Sequence, residues 1–299
     1  MTTFFEAEEK PTPLSVPQAG LRVALSIAGL DPSGGAGILA DVRTFDAMHV
    51  YGMAVAATVT YQSTLGVKGR FDLPASAVRG QLEEIFADRI PNAVKTGALG
   101  TAAAVREVGL FLAEGFLGPV VVDPITMAGS GGALLDEEGI EAVTRYLLPG
   151  AAMVTPNMRE VEALIGFKVF DLKDVKAAAI RLVAMGARSA LVTGVKVEEG
   201  GGLLAADVFC DGEAIDVYTS PWLDGLDVHG TGCMLSAGVT AGLARGMALK
   251  DAVARARQVT RAALEEPVFP GRGVACADPW ALTHAESAGG AEAQAAQNL

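Results

Sequence analysis

Asp227-Val228-His229-Gly230-Thr231-Gly232-Cys233 runs straight into a stretch of small residues, MLSAGVTAGLARG. Two glycines and a threonine ahead of a helix leave the backbone N–H groups of residues 231–233 unobstructed. The N-terminal end of a helix also favours charge arriving or developing there. Cys233 falls in the first turn, where a thiolate is stabilised and the thiol should be acidified. Close helix packing through small residues accounts for the same pattern without any chemistry.

A second loop, Gly29-Leu30-Asp31-Pro32-Ser33-Gly34-Gly35-Ala36-Gly37, leaves one apolar run and opens a helical one. Its glycines let a backbone approach a ligand closely. Gly35, Gly37 and Ala40 also spell GxGxxA, but a dinucleotide site needs a ribose-binding acid ~20 residues further on. Residues 47–71 contain neither Asp nor Glu, and no GxxxxGK[ST] occurs. A third candidate is Thr155-Pro156-Asn157-Met158-Arg159-Glu160, where Asn157 and Glu160 fit a helix cap with an acid at its third position. Both sit at the carboxyl end of a strand, as does Asp123 closing VVVDP, and open α/β sheets place their ligands there. His229 by itself reads as a structural histidine, and Cys210 and Cys276 as ordinary thiols.

The elements that must carry these loops follow from hydrophobic periodicity. Strands are expected at 21–29, 53–61, 93–96, 119–124, 152–156 and 188–194. Helices are expected at 37–48, from Pro74 onward, and at 101–115, 137–148, 158–165, 174–185, 232–245 and 250–264. Residues 66–73 read as an extended excursion. Residues 203–210 and 213–219 flank Asp211-Gly212, a hairpin signal. Strands alternating with helices predict an α/β fold, a mostly parallel sheet with helices on both faces and an antiparallel edge. Residues 1–20 and 285–299 read as flexible tails around a single domain over 21–284.

Composition narrows the function. Hydrophobic residues make up 51% of the 299 positions and aromatics 6%, so a core is affordable and is built mainly from Ala, Val and Leu. With 23 Lys and Arg against 35 Asp and Glu, the net charge is −12. Nucleic acid and anionic membranes call for a basic footprint, so neither is an expected partner. A phosphorylated small molecule remains compatible, because backbone N–H groups hold phosphate without net charge. Three separated cysteines and three histidines give no disulfide framework and no zinc cluster. The first residues carry acids and no apolar core of a signal peptide, and no run reaches the ~20 apolar residues of a membrane span. A reducing cytoplasm is the expected location.

The motifs together resemble the ribokinase-like superfamily and, within it, the hydroxymethylpyrimidine/phosphomethylpyrimidine kinases of thiamine synthesis. The resemblance rests on Ser26-Ile27-Ala28-Gly29, Asp31 through Gly37, Ala40-Asp41, Tyr51-Gly52 and Gln62-Ser63-Thr64. It continues through Lys95-Thr96-Gly97, Val122-Asp123-Pro124, Thr155-Pro156-Asn157 with Glu160, and His229 through Cys233. These motifs are ordered over about residues 22–264. The resemblance implies a homodimer that moves the γ-phosphoryl of ATP, with Mg2+, to a pyrimidine alcohol and then to its monophosphate. It implies an anion hole at Gly230, Thr231, Gly232 and Cys233, with Cys233 where sugar kinases carry an Asp base. Gln62 would bond the aminopyrimidine, with Asp41, Gly29 and Ile125 lining its pocket. Asn157, Glu160 and Asp123 would organise magnesium and phosphate, and Thr193 and Gly194 would lie near the nucleotide.

Three positions depart from the family pattern. Gly129-Ser130-Gly131 replaces a Lys before Ser-Gly, Thr193-Gly194-Val195-Lys196 replaces Lys-Gly-Gly-His, and Leu39 replaces a Gln. The competing readings are a pyridoxal or pyridoxine kinase and a non-catalytic ligand-binding paralogue. An NAD-dependent reductase is opposed by the missing ribose acid.

Overall fold

Nine strands form one sheet in the order β3-β2-β1-β4-β5-β6-β7-β8-β9 in a computed structural model that describes residues 20–127, 132–225, 227–282 and 284. In chain order the elements are β1 (Val23–Leu30), α1 (Gly37–Ala47), β2 (Tyr51–Ser63), β3 (Gly66–Asp72), α2 (Ala75–Asp88), β4 (Ala93–Thr96) and α3 (Ala102–Ala113). They continue with β5 (Val120–Val122), α4 (Glu137–Ala142), β6 (Met153–Val154), α5 (Met158–Ile165), α6 (Leu172–Ala184) and β7 (Ala190–Glu199). The last are β8 (Gly202–Cys210), β9 (Ile215–Pro221), β10 (Val228–His229), α7 (Thr231–Ala244), α8 (Leu249–Glu265) and β11 (Ala275–Cys276). The expected tails, apart from Gly20, lie outside the described residues, and so does the departure at 129–131.

The six strands β2, β1, β4, β5, β6 and β7 run parallel, as the alternation predicts. The late hairpin β8–β9 is antiparallel, as Asp211-Gly212 signals. The excursion at 66–73 is instead a second antiparallel edge, with β3 folding back on β2. The expected helix 137–148 changes character midway, α4 passing into one wider π turn over Val143–Leu147. The small β10–β11 sheet pairs two-residue segments too short to show a period.

Alternation along β1 sorts the two layers. Leu25 and Ile27 join a core with Val78, Leu82, Val105, Val161 and Leu182 of α2, α3, α5 and α6. Ala24 faces the other way, toward Phe45, Met234 and Val259 of α1, α7 and α8. The small residues of α7 have a packing role too, since a methyl on Gly238 or Gly242 would press on Ala256 or Ala252 of α8. The chain runs outward from β1 to β2 and β3, then crosses back to β4 on the other side of β1 and continues the opposite way through β5. Such a reversal opens a crevice beyond the carboxyl ends of the strands.

Candidate active site

A cavity of about 350 Å³ fills that crevice. Its lining comes from the ends of β1, β2, β4, β5, β6 and β7, from the β2–β3 turn and from the loop that enters α7. Gly29, Gln62, Asp123, Ile125, Asn157, Glu160, Thr193, Gly230, Thr231, Gly232 and Cys233 all border it. Residues up to 204 positions apart in sequence are thus brought together as the motifs suggested.

At one wall stands the N-terminus of α7. Gly230 caps it in the left-handed region at φ 88° and offers no side-chain cap. A Cβ there would collide with the carbonyl oxygen of Gly35, so the two glycine loops interlock at this point. The first intrahelical bond runs from Met234 N to Gly230 O at 2.9 Å, which leaves the preceding three N–H groups without helical acceptors. Gly232 opens on free space. The arrangement suits an anion.

Cys233 lies in that first turn, but its thiol is not acidified as its position led us to expect. Burial dominates and pushes it up to about 12, against the opposing pull of Lys95. Helix-end stabilisation presupposes a thiolate that water or the dipole can reach, and the residue is only 8% exposed. The resting group is a thiol.

The acidic side is built on β5 and α5. Asn157 Oδ1 accepts from the backbone N–H groups of Arg159 at 2.9 Å and Glu160 at 3.0 Å. Glu160 Oε2 accepts from Asn157 N at 2.9 Å, completing the expected capping box. Glu160 nevertheless borders the cavity as well. Burial, and then the charge of Asp123, push its carboxyl up to about 8. Asp123 is also raised by burial, with Lys95 and Ser236 opposing. Ser236 Oγ lies 2.8 Å from Asp123 Oδ2 and so ties α7 to the end of β5.

Two expected site residues do not border the cavity. Asp41 is fully buried beneath it, accepting from Ser26 Oγ at 2.6 Å and paired with Lys95. Its helix position turns it into the layer between α1 and the sheet. Gly194 sits at a bulge in β7 with φ 73°, exposed, and its N–H donates to Asp207 Oδ1 at 3.0 Å. Thr193 alone of that pair reaches the cavity. Lys196 points elsewhere, its Nζ 5.0 Å from the ring centre of Trp222.

Three residues carry more of the site than the sequence reading assigned them. His229 is not simply structural, since it borders the cavity and its Nε2 lies 3.0 Å from Asp31 Oδ2. Asp31 organises its own loop, accepting from Ser33 N at 2.9 Å, Ser33 Oγ at 2.7 Å and Ala36 N at 3.0 Å. Lys95 holds the charge balance below the floor. Its signal was a lysine inside AVKT, a short strand buried on both faces. No local pattern pairs Asp31 with a histidine 198 residues away.

Comparison with known proteins agrees with this geometry. A family model described as phosphomethylpyrimidine kinase matches residues 31–278. A hydroxymethylpyrimidine/phosphomethylpyrimidine kinase of Streptomyces coelicolor is 39% identical over 273 residues, which cover 91% of this chain and 98% of that one. The protein of the same description from Bacillus subtilis is 37% identical over 250 residues, covering 84% and 92%. Among solved structures, Staphylococcus aureus pyridoxal kinase in complex with ADP superposes with a TM-score of 0.79 at 30% identity, covering 88% of this chain and 95% of that one. A phosphomethylpyrimidine kinase of Clostridium difficile gives 0.70 at 32% identity, covering 80% and 98%.

Proposed function

The chain belongs to the phosphomethylpyrimidine kinase family, and we propose that it transfers the γ-phosphoryl of ATP to 4-amino-5-hydroxymethyl-2-methylpyrimidine and then to the monophosphate. The observation that carries this reading is the uncapped N-terminus of α7, with Gly232 open, bordering the same cavity as Asp123 and Glu160. Phosphoryl transfer is largely a matter of holding the alcohol in line and stabilising charge on the moving group. The free N–H groups of residues 231–233 supply that stabilisation without reorganising. Gln62, bordering the cavity beside His229, offers a donor and an acceptor to an aminopyrimidine edge.

Magnesium fits the donor set. Asp123 and Glu160 are carboxyl groups that burial holds above their ordinary range, so they would hold such an ion and a cation there would offset the cost of ionising them. Such an ion takes one or two carboxylates and completes its shell with phosphate oxygens and water. Among the described residues no group of three or more His, Cys, Asp and Glu side chains could hold a metal. When bound, the ion neutralises charge on the phosphates. Asn157 holds Glu160 in place, and Thr193 borders the side where the nucleotide enters. Cys233, as a neutral thiol, positions the alcohol, whose proton passes to an oxygen of the transferred phosphoryl group as the new P–O bond forms and the bond to ADP breaks.

The working unit in this reading is a homodimer in a reducing cytoplasm. Tyr61, Leu65 and Phe71 are exposed on the β2–β3 edge, and among the described residues β3 has no further strand beyond it. All three cysteines are free. Light scattering that returns a monomer at micromolar concentration overturns the dimer.

Side-by-side ATP consumption with the pyrimidine alcohol, its phosphate and pyridoxal tests the activity. Turnover of both pyrimidines is expected. Preference for pyridoxal would instead support the second reading, which the fold match to pyridoxal kinase favours. Turnover of none would make the chain a ligand-binding paralogue.

A further inference from the structure

At the ring end of the cavity three polar atoms crowd together. Asp31 Oδ2 lies 3.2 Å from Gln62 Nε2 and 3.0 Å from His229 Nε2, and those two nitrogens are 2.8 Å apart. At most two of these three contacts are hydrogen bonds at once. A protonated His229 Nε2 donates to Asp31 and turns its N–H against the Gln62 amide. An unprotonated one accepts from Gln62 and turns a lone pair against the carboxylate. Behind them, Thr60 Oγ1 lies 3.2 Å from Gln62 Oε1 and 3.1 Å from the Leu30 carbonyl.

Hydroxyl, amide and imidazole each present a donor or an acceptor, by rotation, flip or tautomer. An ionised carboxylate only accepts. Burial acts to raise the Asp31 carboxyl, but hydrogen bonds from His229 and Ser33 prevail and hold it below the usual range. Its position is also braced independently of Gln62, by Ser33 and the Ala36 N–H. Asp31 is therefore the one member of the cluster with a fixed place and a fixed polarity.

We propose that Asp31 is a positioning residue that sets the ring preference of this pocket. It turns the Gln62 amide nitrogen toward itself and the carbonyl toward Thr60, and it places a negative charge directly behind the ring-reading edge. An aminopyrimidine, neutral or cationic and edged by an N–H2 group, suits that edge. A 3-hydroxypyridine, whose phenol ionises to an oxyanion, is repelled by it. Discrimination comes as much from that repulsion as from the bonds made. This inference rests on the reading of the cavity as an aminopyrimidine site.

The test is calorimetric binding of 4-amino-5-hydroxymethyl-2-methylpyrimidine and of pyridoxine, without nucleotide, to the full chain. The wild type is expected to prefer the pyrimidine. Asp31→Asn carries an amide of either polarity and no charge, so the preference should shrink by roughly tenfold, the scale of one mispaired polar contact. In a Gln62→Leu background the same change should have little further effect on the ratio, because Asp31 acts through Gln62. Asp31→Ser, whose hydroxyl rebuilds the turn more weakly, is the second variant should Asn disturb the loop. A merely structural role predicts that both rings weaken by the same factor, and that result overturns the proposal. So does failure of both variants to melt cooperatively, which would put the worth of Asp31 in the loop alone. If the wild type binds neither ring, the aminopyrimidine reading itself falls and this inference with it. A wild type that binds the pyrimidine while the ratio stays unmoved sinks only the role of Asp31.

Discussion

Lys95 Nζ lies 2.9 Å from both carboxylate oxygens of Asp41, and neither side chain has any exposed surface. A third charge, Asp123 Oδ2, is 3.5 Å from the same ammonium. One cation in the middle of the sheet thus serves a carboxylate under the cavity and another on its floor. Burial works to lower the lysine, but the carboxylates of Asp41 and Asp123 outweigh it and keep the ammonium charged. Removing it strands Asp41 where water cannot reach and leaves Asp123 on the cavity floor without its cation. Lys95→Met should cost about 3–5 kcal/mol of stability, the usual result of breaking a buried pair. Adding Asp41→Asn should recover part of that loss. Urea unfolding of the two variants checks the sign.

Gly232→Val separates the anion site from the fold. A Cβ at 232 meets nothing within 4 Å, so the side chain projects into the cavity and not into the core. Turnover should disappear while the melting temperature stays within a few degrees and ring binding is partly kept. A kinase of near-normal rate in this variant would remove the α7 terminus from the chemistry.

The Cys233 thiol yields a prediction about pH. Its folded value of about 12 lies above the free value of 9.0. Between those limits the unfolded chain releases a proton that the folded chain keeps, so stability falls as the pH rises through that window and is complete below it. Cys233→Ala should flatten that alkaline decline, in melts recorded from pH 8 to 11. For the same reason, alkylation of Cys233 in the native protein should be slow near neutrality. Loss of turnover in Cys233→Ala by ~10²-fold or more would give the thiol a part in orienting the alcohol, and a near-normal rate would leave only the backbone anion site.

Glu160→Gln tests the acidic wall. The amide can still accept from Asn157 N, so the capping box survives in large part. The magnesium concentration needed for half-maximal activity should rise, and magnesium with nucleotide should raise the melting temperature less than in the wild type. An unchanged metal requirement with ~1 kcal/mol lost stability would reduce Glu160 to a helix cap.

Gln62→Leu should weaken pyrimidine binding by ~1–3 kcal/mol, because polar ring atoms lose their partners, while ATP affinity is spared. A loss of stability with unaltered pyrimidine kinetics would mean that Gln62 serves only Asp31 and His229.

Much of this molecule is local and therefore legible in the chain. The apolar β-branched runs at VVVD and LRVALSIAG can only be buried strands, Asn157 and Glu160 at their spacing write a capping box, and glycines at 230 and 232 leave a helix end bare. Those patterns act within a few residues, where spacing and stereochemistry decide. Tertiary structure decided what depends on the environment that distant segments create. Cys233 has the sequence of an acidified thiol, yet the sheet and the Asp123–Lys95 layer close over it, and desolvation reverses the shift. Asp41 sits in a motif beside the pocket, but the helix phase turns it inward to Lys95. His229 looked incidental until the β10 register set its ring against Asp31 and Gln62. Burial and partners across the sheet are long-range quantities, and no single stretch of the chain contains them.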